Sequence, residues 1–80
     1  MTATINIFLK KGVLDAQGKA VFHALKSLHF DTIQDVKIGK RIILDLDTQD
    51  YNQAKEDVTK MCEELLANTV IENYKIENIK

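Results

Sequence analysis

Val36-Lys-Ile-Gly-Lys-Arg-Ile-Ile-Leu-Asp-Leu-Asp47 decides the fold, because it can be read in two ways. Val36 and Ile38 lead into Gly39-Lys40, after which Ile42, Leu44 and Leu46 alternate with Ile43, Asp45 and Asp47. Alternation with a period of two marks a strand that buries one face. If Gly39-Lys40 is a two-residue turn, glycine first as type II′ prefers, the stretch is a hairpin of two strands. If Gly39 is a bulge, the stretch is one long bent strand. The hairpin is the reading carried forward, with the bent strand as its alternative.

Toward the N-terminus, Ile5, Ile7 and Leu9 alternate with Asn6, Phe8 and Lys10, which predicts a strand over about residues 3–10. Lys11-Gly12 breaks it. Asp15 stands where an N-cap belongs, its carboxylate able to accept the free N–H of Gln17 or Gly18. Val21, Leu25 and Leu28, with Ala24 beside them, give a helix over about 16–29. Toward the C-terminus, Asp50 is a second N-cap. Ala54, Val58, Met61, Cys62 and Leu65 form an apolar stripe over about 51–67, and Glu56 and Lys60 make an i, i+4 pair on its wet side. Asn68 suits the left-handed position that ends a helix. Val70, Tyr74 and Ile76 define a last strand, about 70–79.

The order β-α-β-β-α-β predicts an α+β fold: one domain over residues 1–80, a two-layer ferredoxin-like sandwich with an antiparallel sheet and both helices on one face. Phe8, Ile43, Ile71 and Ile79 fall out of phase with the inward residues of their strands. They are expected to form an apolar patch on the uncovered face, a surface for self-association.

Composition narrows the function. A chain of 80 residues buries only roughly 60–65% of its unfolded surface, so oligomerisation is a natural route to more burial. Eleven Lys and Arg against twelve Asp and Glu leave a net charge of −1, which argues against a nucleic-acid or anionic-membrane footprint. No apolar run approaches the roughly 20 residues of a membrane span. No basic, then apolar, N-terminal stretch suggests a signal peptide. The single cysteine, Cys62, fits a reducing cytoplasm.

Chemistry-bearing constellations are missing from the sequence. There is no nucleophile elbow, P-loop, GxGxxG or CxxC. His23 and His29 are six apart and cannot share a helical face as metal ligands. Asp45, Asp47 and Asp50 are spaced so that the third acid of a calcium loop, and its glycine, are missing from their places. Cys62 sits on the apolar stripe beside Glu63 and Glu64, the wrong company for a reactive thiolate. The candidate central strands carry one aromatic, Phe8, and no basic stripe, which is unlike a base-stacking sheet. Lys10, Lys11, Lys37, Lys40 and Arg41 gather near strand ends and turns. They read as solvated charges or, at the turn, as contacts for an acidic partner surface.

Three blocks resemble a known family. Val13-Leu-Asp-Ala-Gln-Gly-Lys-Ala-Val-Phe-His-Ala-Leu25 is similar to V-L-D-P-Q-G-x-A-V-x-x-A-L, Val36-Lys-Ile-Gly-Lys40 to V-R-x-G-K, and Leu65-Leu-Ala-Asn-Thr-Val-Ile-Glu-Asn-Tyr74 to L-L-A-N-T-V-I-E-D-Y. These are patterns of the PurS family, the small subunit of bacterial and archaeal phosphoribosylformylglycinamidine synthase, and the resemblance runs the length of the chain. Ala16 stands for the common Pro, where Pro only pre-sets φ. Lys37 stands for Arg, which removes a planar fork able to grip a carboxylate. Asn73 stands for Asp.

The resemblance implies a non-catalytic subunit of de novo purine biosynthesis. It would form a homodimer or tetramer and bridge a synthetase subunit (PurL) and a glutaminase subunit (PurQ). The assembly would convert formylglycinamide ribonucleotide to formylglycinamidine ribonucleotide with ATP and glutamine. ATP and Mg are expected in the synthetase, and no cofactor, metal or catalytic residue in this chain. Partner contacts are expected at Gly39, Lys40 and Arg41 on the turn and at Asn68, Thr69 and Glu72 at the helix–strand junction. A small-molecule-binding regulatory domain of ACT-like type shares the element order and is the alternative.

Overall fold

The computed structural model describes residues 1–80. The first strand, β1 (Thr2–Leu9), is central because it is the most apolar: Ala3, Ile5 and Ile7 are at most 1% exposed. It is flanked on both sides by antiparallel partners, β2 (Lys40–Asp45) and β3 (Glu72–Ile79), in the order β2-β1-β3. The chain ends are stitched into this sheet. The Thr2 N–H donates to the Lys80 carbonyl at 2.7 Å, and the Met1 ammonium to the Leu46 carbonyl at 3.0 Å.

The α+β class and the antiparallel sheet follow the sequence reading, but the hairpin at Gly39-Lys40 does not form. Only the second of the two middle strands carries a ladder, starting at Lys40. The residues before it are held by other contacts. The Ile38 N–H donates to the Asp15 carboxylate at 2.9 Å, and the Val36 carbonyl packs on Gly18 of the first helix. At Gly39, a Cβ would lie 2.7 Å from the Ile7 carbonyl, so a bare backbone is needed where the chain enters the sheet.

A β-bulge reverses another expectation. Thr4 pairs with Asn78 but Ile5 with Ile76, which leaves Glu77 as an extra residue on β3. One extra residue inverts the side-chain phase. Ile79 therefore lies opposite Ala3 and packs on the core with Tyr74 and Ile76. The far face keeps only Phe8 and Ile43 as large apolar groups, among Thr2, Thr4, Asn6 and Arg41. The apolar patch expected there is absent, and Ile71 precedes the strand instead of joining it.

The second helix, α2 (Tyr51–Met61), covers the near face. Asp50 caps it, accepting from the Asn52 and Gln53 N–H groups at 3.0 and 3.3 Å. Ala54, Val58 and Cys62, on successive turns, are fully buried, and Val58 and Cys62 join Ala3, Ile5 and Ile7 of β1 in the core. Cys62–Leu66 then forms a π-helical turn, closed by the Ala67 N–H on the Cys62 carbonyl at 3.1 Å. A wider turn rotates each following residue less than an α-turn does. The buried stripe therefore continues to Leu66 and Ala67, and Leu65, expected inside, is 82% exposed. Asn68 is not left-handed, and Ala67 leaves the helix in an extended conformation.

The first helix, α1 (Ala16–Ser27), departs most from expectation. Asp15 caps it through the Gly18 N–H at 2.8 Å. Its end is a Schellman motif: the His29 N–H donates to the Lys26 carbonyl and the Phe30 N–H to the Leu25 carbonyl, with His29 at φ 69°. Yet its only buried residue is Gly18, and no α1 side chain belongs to the core. Leu28 is 66% exposed. The protomer is accordingly long, 49 × 24 × 14 Å, with a radius of gyration of 16.1 Å, against about 12 Å for a compact chain of this size.

Candidate functional site

Two of the sequence blocks turn out to be one structural device. The Asp15 carboxylate accepts from Gly18 within its own helix and from Ile38 in the segment leading to β2. These two bonds hold its carboxyl below the usual carboxylate range, the Ile38 bond contributing most. Gly18 and Gly39 are both needed for close approach, to the Val36 and Ile7 carbonyls respectively. Sequence reading gave Asp15 its cap but missed its second partner, 23 positions away.

The residues expected at a partner surface separate into two groups. Lys40 and Glu72 meet on the helix side of the sheet, with the ammonium 3.6 Å from one carboxylate oxygen. The other oxygen accepts the Asn68 N–H at 2.7 Å, and the Asn68 carbonyl accepts the Glu72 N–H at 2.7 Å. The Asn68 side chain in turn accepts from Val70 at 3.2 Å. This closed loop sets the entry of β3, so Asn68 and Glu72 both have a role in the fold. Arg41, the next residue along β2, points to the opposite face, as strand geometry requires. There it reaches across β1 to Glu77 at 3.2 Å, the residue freed by the bulge. Thr69 is exposed at the tip of the loop.

The remaining reactive groups are quiet. Cys62 is a free, buried thiol that burial and the neighbouring Glu63 push upward, away from thiolate. Burial, and after it the neighbouring Glu63 carboxylate, also pushes the Tyr74 hydroxyl upward. No group of three His, Cys, Asp or Glu is placed to hold a metal ion, and no helix is long and apolar enough to cross a membrane.

The most distinctive property is surface. The accessible area is 6090 Å², about 1,200 Å² more than a compact monomer of this mass presents. Val21, Leu28 and Phe30 on and after α1, with Leu14 before it, are exposed, while only nine of 80 residues are buried. The protomer by itself leaves these apolar side chains uncovered.

Fold and surface together define a small α+β protomer with a three-stranded antiparallel sheet and a first helix whose side chains stay outside the core. The comparisons agree: the family model described as PurS, phosphoribosylformylglycinamidine (FGAM) synthase, matches residues 2–80. The chain is 48% identical over 73 residues to the PurS subunit of that synthase from Bacillus subtilis, covering 91% of this chain and 86% of the relative. It resembles the structure of Thermus thermophilus PurS with a TM-score of 0.85 and 39% identity over 99% and 93% of the two chains. A chain in the structure of PurLQS from Thermotoga maritima matches with a TM-score of 0.83 and 27% identity over 99% of each. The chain belongs to the PurS family.

Proposed function

We propose that this protein is the non-catalytic PurS subunit of phosphoribosylformylglycinamidine synthase. In that role it forms a homodimer or tetramer and bridges the synthetase (PurL) and glutaminase (PurQ) subunits in the cytoplasm. ATP and Mg belong to the synthetase, and this chain needs no cofactor. The observation that carries the reading is the combination of family membership with a protomer whose first helix puts no side chain into the core. The excess of about 1,200 Å² exceeds the roughly 800 Å² that each partner buries in a standard interface. The apolar side of α1 is the self-association surface in this reading. Lys40, Arg41 and Thr69 are left to contact the other subunits, since Gly39, Asn68 and Glu72 already serve the fold.

The bridging subunit works by proximity. Ammonia released at one active site reaches the second before it is lost to water only if the two are held in register. The test is formylglycinamidine ribonucleotide formation by the two partner subunits, with and without this chain, using glutamine or free ammonium. Dependence on this chain with glutamine alone supports coupling of the two sites. Dependence with both nitrogen sources means that it also supports the synthetase itself. No dependence in either case overturns the assignment.

A further inference from the structure

The geometry points to a binding site for a phosphorylated small molecule in the cleft between the β1–α1 turn and the segment before β2. The cleft has a volume of about 780 Å³, within the range of small-molecule pockets. Its walls carry Lys10, Lys11 and Lys37, with Phe8 and Ile38 as apolar surface. Phe8 is 45% and Ile38 37% exposed. The protein's ion pairs join Lys40 to Glu72, Arg41 to Glu77 and Lys60 to Glu56, so the three cleft lysines are uncommitted. The two acids of the cleft are engaged by backbone: Asp15 by Gly18 and Ile38, and Asp35 by the Val36 N–H at 2.9 Å.

The backbone that carries the three lysines is anchored on both sides of the cleft. Lys10 and Lys11 lie in a turn closed by the Val13 N–H on the Lys10 carbonyl at 3.1 Å, with Gly12 at φ 88°. That is the positive φ a type II turn needs at its third residue. Lys37 is flanked by Val36, packed on Gly18, and Ile38, bonded to Asp15. Three lysines on an anchored backbone, beside the apolar surface of Phe8 and Ile38, suit an anionic phosphate on an organic body. The three lysines lie outside the surfaces of the assembly reading, α1, Lys40–Arg41 and Thr69, which the cleft borders at Asp15 and Gly39.

The experiment is a titration of the full-length, isotopically labelled protein with phenyl phosphate, followed by amide chemical shifts at low ionic strength, with inorganic phosphate as reference. Saturable shifts confined to residues around Gly12, Val13, Lys37 and Gly39 are expected, with phenyl phosphate binding tighter than inorganic phosphate. The triple variant Lys10→Gln, Lys11→Gln, Lys37→Gln should weaken binding by about tenfold or more. The variant Lys55→Gln, Lys60→Gln on α2 should leave it unchanged. Shifts that never saturate, that spread equally to α2, or that survive in a folded triple variant would overturn the site. Equal binding of the two phosphates would remove the organic body from it.

Discussion

Gly18→Ala gives opposite predictions from the helix alone and from the tertiary structure. Within α1 the change should stabilise by up to about 1 kcal/mol, because alanine is the better helix former. In the folded protein the new methyl would press on the Val36 carbonyl and stand 2.6 Å from an Asp15 carboxylate oxygen. The nearer obstacle is backbone, so relief requires the segment before β2 to move as a unit. That movement pulls Ile38 from Asp15 and disturbs Gly39 where it crosses Ile7. Overpacking of this kind costs about 1–3 kcal/mol. Less the full helix gain, the variant should be destabilised by up to about 2 kcal/mol, a fall in melting temperature of up to about 16 °C for a domain of this size. Calorimetry or urea unfolding at fixed protomer concentration measures it, since oligomerisation makes stability concentration-dependent. A variant more stable than the parent would refute the docking of the Val36–Gly39 segment on α1.

Other substitutions test the remaining contacts. Glu72→Ala, which strips Asn68 of its acceptor, should cost about 1.5–3 kcal/mol, whereas Arg41→Ala, losing an exposed pair, should cost below about 1 kcal/mol in the same unfolding assay. The lowered Asp15 carboxyl contributes stability that is present above its unfolded value of 3.8 and lost as pH falls through the folded value. Asp15→Asn should therefore be less stable at neutral pH, with the gap closing in acid unfolding series. The raised Cys62 thiol works in the other direction: its contribution is full below the unfolded value of 9.0 and fades as pH rises beyond it. Cys62→Ala should flatten the alkaline limb, and the native thiol should resist alkylation. Leu28→Glu places a charge on the exposed α1 surface; sedimentation should then show a shift toward monomer, and an unchanged assembly would remove α1 from the self-association interface.

What could be read from the chain was whatever local chemistry decides. Asp15 and Asp50 announced the helix starts, since a cap bonds its own first turn. The period-two runs at Ile5–Leu9 and Ile42–Leu46 announced two strands. The stripe Ala54, Val58, Cys62 announced the face that α2 buries, because each spacing is a property of one element. The family blocks were equally legible, and the folded chain explains why Asp15, Gly18 and Gly39 occur together.

The tertiary structure decided what depends on distant atoms. Val36–Gly39 looks like a strand, but its groups find Gly18, Asp15 and Ile7 instead of a ladder partner. Ile79 changes face because of a bulge at Glu77, which is set by pairing with β1. Leu65 turns outward because the helix widens to bring Ala67 under the sheet. Asn68 and Glu72, 4 positions apart, are bonded to each other by two hydrogen bonds that no local pattern announces. The apolar stripe of α1 was legible, but not what it faces: amphipathicity shows that a surface must be buried, while only the assembled molecule determines whether its own core or another chain buries it.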